Sequence, residues 1–174
     1  MAERKVTLRG NPLTLGGSEI TPGQTAPDFT AVDNSLGAVR LSDAKGKVLI
    51  LSSVPSLDTP VCDTETRRFN EEAGKLGGGV EVWTVSMDLP FAQKRWCGAA
   101  GITNVKTLSD FRDRSFGQSY GVAITDGSLA GVNARAVFVV GKDGTVTHVE
   151  YVPEIASEPD YEAALRAARA AATA

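Results

Sequence analysis

A cysteine placed where a helix begins is the feature of this sequence best suited to chemistry. Cys62 ends the run Pro55-Ser56-Leu57-Asp58-Thr59-Pro60-Val61-Cys62. Thr59 is a favoured N-cap and proline suits the first helical position, so Cys62 falls at the third. There its sulfur lies among backbone N–H groups that no helical carbonyl satisfies, and such donors favour a negative charge. A helix N-terminus can lower a cysteine pKa from about 8.5 to roughly 3.5–7.5, and the thiolate is the reactive form. The spacing therefore predicts a nucleophile whose sulfur the turn leaves accessible to a small substrate. The Thr59 hydroxyl can cap the helix and still have capacity to reach a substrate oxygen.

Four other positions enter the same reading. Cys97 is the second of two cysteines. In a reducing compartment a thiol pair is more often catalytic or redox-sensing than a structural bridge, although two unrelated buried cysteines are the commoner case on number alone. Arg135 stands between two alanines just before an apolar run, as an edge cation in water or as the partner of an anion. Pro55 reads as a turn proline after a strand. His148, the single histidine, falls in an alternating segment, so a sheet-face side chain outweighs a catalytic base and a Cys-His protease is a weak alternative. Two cysteines and one histidine match no zinc spacing, and no metal is expected. Glu65 occupies the third position after Cys62, so the Cys-x-x-Cys of dithiol oxidoreductases is missing. Arg67 and Arg68 read as helix-surface charges.

Pro55, Thr59 and Cys62 together resemble the Pro-x-x-x-Thr-x-x-Cys motif of peroxiredoxins, and the fuller run is similar to that of their bacterial thiol peroxidase branch. The likeness extends through Asp88-Leu89-Pro90-Phe91-Ala92-Gln93-Lys94-Arg95-Trp96-Cys97, through Tyr120-Gly121-Val122-Ala123-Ile124, through Ala134-Arg135-Ala136-Val137 and through Glu158-Pro159-Asp160-Tyr161. It thus covers nearly the whole chain. The resemblance implies a thioredoxin-like α/β fold, with a central mixed sheet, flanking helices and an added N-terminal β-hairpin. It implies that Cys62 is the peroxidatic nucleophile and passes through a sulfenic acid. Cys97 would resolve it as an intramolecular Cys62–Cys97 disulfide, which thioredoxin would reduce. Thr59 would orient the peroxide, Pro55 would shield the sulfur from water, and Arg135 would stabilise the thiolate and the leaving oxygen. A homodimer, hydrogen peroxide and alkyl or lipid hydroperoxides as substrates, and no haem, flavin or other cofactor complete what the resemblance implies. A redox sensor using the same disulfide is the alternative, and it would oxidise once without rapid turnover.

Helical spacing sets Cys97 beside Gln93, Lys94 and Gly101, in polar or mobile surroundings, with Trp96 on an apolar side shared by Ala92 and Ala100. Gly98 and Gly101 each weaken that helix by about 1 kcal/mol relative to alanine. A disulfide requires Cα atoms within about 7 Å, so one or both cysteine segments are expected to unwind to form it.

The elements that must position these residues are legible as alternating strand and helix signals. Residues 47–54 form a β-branched run of buried-strand type, and Phe69, Ala73 and Leu76 carry helical spacing from Asp63 to Leu76. Residues 80–86 alternate as a strand, and Pro90 opens a helix over 90–100. Ligands gather at the carboxyl edge of parallel strands, which puts the turns before Cys62 and after Ser86 on one edge. Residues 136–140 and 146–151 should pair antiparallel through Asp143-Gly144. If the first of them runs opposite to the parallel strands, Arg135 arrives beside Cys62. Residues 6–15 read as a hairpin, 28–33 as a strand, 38–41 as an edge segment, and 111–117 as a short helix. Tyr161, Leu165 and Ala168 supply the stripe of a closing helix after Ser157-Glu158-Pro159-Asp160. Gly77-Gly78-Gly79 lacks a following Lys-Ser/Thr, so a phosphate loop is excluded.

Composition sets the outer bounds. At 174 residues, with 42% hydrophobic and 22% charged residues, the chain fits a single domain over 1–174, with 1–18 as the hairpin extension. A net charge of −3 and no clustered basic run argue against nucleic acid or an anionic membrane as partner. The first residues show neither a signal peptide nor a membrane span, and a cytoplasmic location is expected.

Overall fold

The computed structural model describes residues 2–174. Its centre is β5 (Val48–Ser53), buried at all six positions because both of its faces are covered. Leu49 and Leu51 point into one core, Val48 and Ile50 into another. β5 pairs parallel with β6 (Val80–Ser86), which pairs parallel with β7 (Val105–Ser109). On its other side β5 pairs antiparallel with β9 (Ala136–Val140), in the register Ser53↔Ala136. β10 (Val146–Tyr151) extends that side, while β3 (Thr30–Val32) and β4 (Ala38–Arg40) close the other, giving the order β10-β9-β5-β6-β7-β3-β4. The carboxyl ends of β5 and β6 therefore share an edge with the start of β9. This is the thioredoxin-like mixed sheet that was expected.

Helices α1 (Pro60–Ala73) and α4 (Tyr161–Thr173) cover one face, through Phe69, Tyr161, Leu165 and Ala168. α2 (Pro90–Ala100) packs by β7. The opposite face carries an aromatic cluster in which Phe29 meets Trp83, Phe116 and Tyr120 edge-on, and Tyr120 meets Phe138. The hairpin of β1 (Arg4–Leu8) and β2 (Asn11–Gly16) turns through Arg9 and Gly10, both at positive φ, as a twisted two-residue turn demands. Val6, Leu13 and Leu15 join the same core as Trp83.

Three details depart from the sequence expectations. α1 stops at Ala73, with Gly74 as its C-cap, a turn short of Leu76. The short helix α3 covers Ser115–Ser119 rather than 111–117. Asp110 sets that later start, since its carboxyl accepts the N–H groups of Phe116 and Gly117 at 3.1 and 2.9 Å. The glycine-rich stretch before Gly131 also yields a strand, β8 (Ala123–Ile124), which pairs with β2 as the third strand of the hairpin sheet. Among the described residues no helix is long and apolar enough to cross a membrane.

Candidate active site

The turn from β5 into α1 places Cys62 as its spacing predicts. Thr59 is the N-cap, with extended backbone at φ −98° and ψ 148°, and Pro60 takes the first helical position. The Thr59 hydroxyl, however, does not cap the helix. It lies 2.8 Å from the Ser56 carbonyl and 2.8 Å from the Cys62 sulfur, and its one proton serves either acceptor. The cause is the tight 56–59 turn, closed by the Thr59 N–H on the Ser56 carbonyl at 3.1 Å, which swings the side chain toward the sulfur.

Cys62 is also fully buried, contrary to the accessible sulfur expected of the turn. Val54 and Leu57 pack around it, and Trp96 from α2 closes over them. Pro55 is buried at the head of the loop. The apolar shield around the sulfur thus includes Trp96, from a separate helix.

Arg135 arrives from the start of β9, as the topological argument required, and only 2% of it is exposed. Its planar fork distributes three donations. Nε goes to the Ile155 carbonyl at 2.9 Å, one terminal nitrogen to Glu65 Oε2 at 2.5 Å, and the other to Cys62 Sγ at 3.3 Å. Ser53 steadies the approach by donating to the Ala134 carbonyl at 2.8 Å. Burial disfavours the charge on Arg135, yet the neighbouring Glu65 and Cys62 favour it more, and the net direction is upward from the usual arginine value.

Glu65 was not singled out from the sequence. It follows Cys62 by three residues, so helical geometry puts both on one face, and it is fully buried. Ser52 donates to its other oxygen at 2.8 Å. Burial pushes the Glu65 carboxyl up to about 7, against the opposing pull of Arg135 and Ser52. The available signal was a charge inside the buried stripe Cys62, Glu65, Thr66 and Phe69.

Cys97 is half-buried on the last turns of α2 and is a free thiol, as is Cys62. Its sulfur lies 3.3 Å from the Thr107 hydroxyl, which donates to Asn34 at 3.0 Å. With the Thr107 proton committed, Cys97 is the donor of the first contact. Its carbonyl accepts the N–H of the left-handed cap Gly101 (φ 68°). The fold brings Cys62, Thr59 and Arg135 together and leaves Cys97 held separately, against β7. His148 pairs with Val139 from the edge strand β10, where partial burial lowers its pKa. Among the described residues no cluster of three or more His, Cys, Asp or Glu side chains is arranged to hold a metal ion.

Comparison with known proteins shows the family of the chain. The Redoxin family model matches residues 21–165. A thiol peroxidase of Halalkalibacterium halodurans is 58% identical over 166 residues, covering 95% of this chain and 98% of its own. One from Bacillus subtilis is 55% identical and covers 98% of both chains. The crystal structure of a peroxiredoxin-like protein from Aquifex aeolicus superposes with a TM-score of 0.91 at 47% identity, covering 96% of each chain. With its family model matched across the sheet and its relatives matched almost end to end, this chain belongs to the Redoxin family, beside the bacterial thiol peroxidases.

Proposed function

We propose that the chain is a thiol-dependent peroxidase in which Cys62 carries the oxidisable sulfur. The observation that carries this reading is the convergence of two donors, Arg135 and the Thr59 hydroxyl, on a sulfur enclosed by apolar side chains. Inside such a pocket fixed donors are worth more than in water and need no reorganisation as charge moves. The Cys62 thiolate attacks the terminal peroxide oxygen, the O–O bond breaks, and the departing oxygen takes a proton to leave as water or an alcohol. Cys62 becomes a sulfenic acid. Arg135, planar and permanently charged, faces the sulfur and can follow the charge onto the leaving oxygen. Thr59, freed from capping, can accept or donate to the peroxide, and buried Pro55 helps to keep bulk water from the sulfur. The chemistry uses side chains alone.

The Cys97 thiol then condenses with the sulfenic acid. The sulfur–oxygen bond breaks, the Cys97 proton leaves with that oxygen as water, and a Cys62–Cys97 disulfide forms. A dithiol reductant of thioredoxin type restores both thiols by exchange. Hydrogen peroxide and alkyl or lipid hydroperoxides are the substrates, the assembly is a homodimer, and the location is cytoplasmic. The names of the relatives support the peroxidase activity, and the family resemblance supports the remainder.

The test is NADPH consumption coupled through thioredoxin and thioredoxin reductase, with cumene hydroperoxide and hydrogen peroxide. Cys62→Ser should abolish turnover. Cys97→Ser should stop cycling after about one peroxide per chain, the sulfenic acid having no resolving partner. Wild type that oxidises once and then fails to turn over with several dithiol reductants would overturn the reading in favour of a sensor.

A further inference from the structure

The loop that presents Cys62 is held by a single carboxylate, and that carboxylate belongs to the turn leading into the other cysteine's helix. Asp88 lies between β6 and α2. Its Oδ1 accepts the Ser56 hydroxyl at 2.7 Å. Its Oδ2 accepts the Leu57 N–H at 2.8 Å and the Ser86 hydroxyl at 2.7 Å. Its own carbonyl accepts the Ser109 hydroxyl at 2.5 Å, which ties the turn to the end of β7. Beyond the loop, the Ser56 carbonyl takes the Thr59 N–H, and the Thr59 hydroxyl reaches the sulfur. A continuous hydrogen-bonded chain therefore runs from Asp88 through Ser56 and Thr59 to Cys62.

A second tie joins the same two elements. Trp96 donates from Nε1 to Asp63 at 2.8 Å, and Arg67, paired with Asp63 at 2.8 Å, lies 5.8 Å from the centre of the Trp96 ring. The Cys62 loop is thus fastened to the turn before α2, and the first turn of α1 to the body of α2.

These ties bear on the two chemical steps in opposite ways. Peroxide attack needs the loop held, so that Thr59 and Arg135 keep their places about the sulfur. Condensation needs it released, because Cys62 is buried at the third helical position while Cys97 is held at Thr107, and a disulfide tolerates Cα separations of only about 7 Å. The Ser56 hydroxyl and the Leu57 N–H cannot move with an unwinding turn while they remain on Asp88. We propose that Asp88 is a positioning residue that holds the Cys62 loop for peroxide attack and whose release governs the rate of the Cys62–Cys97 condensation. This rests on the disulfide reading given above. Condensation competes with a second peroxide, which would oxidise the sulfenic acid to sulfinic acid and release another alcohol. A looser loop should therefore yield less sulfinic acid.

Rapid-mixing experiments on wild type, Asp88→Ala and Asp88→Asn, each in a Trp83→Phe background, test this, with Trp96 fluorescence following helix release and quenched mass spectrometry following sulfenic acid, disulfide and sulfinic acid. In Asp88→Ala the peroxide step should slow about tenfold and disulfide formation should accelerate by a similar factor, the scale of one or two net hydrogen bonds. Asp88→Asn keeps an acceptor for the Leu57 N–H and should fall between. The sulfinic fraction at high peroxide should drop in the same order. A residue that merely supports the fold would not speed the second step, so two rates falling together, or both unchanged, would overturn the proposal. Should Asp88→Ala fail to fold, the same opposed shifts must appear in Asp88→Asn. Absence of any Cys62–Cys97 disulfide in wild type would overturn the relay and this role together, whereas a wild-type disulfide with unaltered rates in the variants would overturn the role of Asp88 alone.

Discussion

Arg135 donates to a sulfur, a carboxylate and a backbone carbonyl at once, a pattern that a lysine ammonium on a flexible stem cannot reproduce. Arg135→Lys should retain the fold by circular dichroism yet slow the peroxide step by about a hundredfold, the usual consequence of losing one fixed donor to developing charge. Glu65 makes a separate prediction, about stability. Its ordinary value is 4.5 and its folded value about 7, so the folded state holds the proton more tightly than the unfolded chain does. The stability it contributes is fully present below pH 4.5 and is lost as pH rises through about 7, by at most about 3 kcal/mol. Denaturant melts of wild type and Glu65→Gln should therefore show the wild type losing ground to the variant between about pH 5 and pH 8. A difference independent of pH would mean that Glu65 stays ionised throughout.

At the scale of elements, α2 combines an anchored start with a weak end. Gly98 is exposed, and a Cβ there would meet nothing within 4 Å. Gly98→Ala should strengthen the helix by about 1 kcal/mol, raise the melting temperature, and slow disulfide formation several-fold while leaving peroxide attack unchanged. Equal disulfide rates would show that α2 need not unwind. The bounds of this helix match the expectation, with Pro90 at its start, but Gly101, expected to weaken it, instead ends it as a left-handed cap. The start of α3 was not legible, because the group that caps it, Asp110, sits five residues before Ser115 and acts through a loop. Local pattern reports local hydrogen bonds, and the Asp110 and Asp88 carboxyls serve distant ones.

For the molecule as a whole, the meeting of Arg135 with Cys62 followed from strand direction, whereas β7 and with it the full strand order were not read from the sequence. Glu65 and Trp96 escaped because their importance lies in what they touch across elements. The hairpin offers a test at this scale. Val6, Leu13 and Leu15 are at most 7% exposed and pack into the main core, while Glu154 grips the turn through Thr7 and the N–H groups of Arg9 and Gly10. Removing residues 2–16 should lower the melting temperature markedly and expose apolar surface to a reporter dye, since each buried aliphatic side chain contributes about 1.5–3 kcal/mol. An unchanged melting temperature would make the hairpin an ornament. One further consequence follows from the 73 residues that separate Cys62 from Arg135. During synthesis the cysteine leaves the ribosome well before β9 exists, and until that strand docks no guanidinium faces its sulfur. On the proposed reading, the contribution of Arg135 to the sulfur is thus withheld from the nascent chain and granted on completion of the sheet.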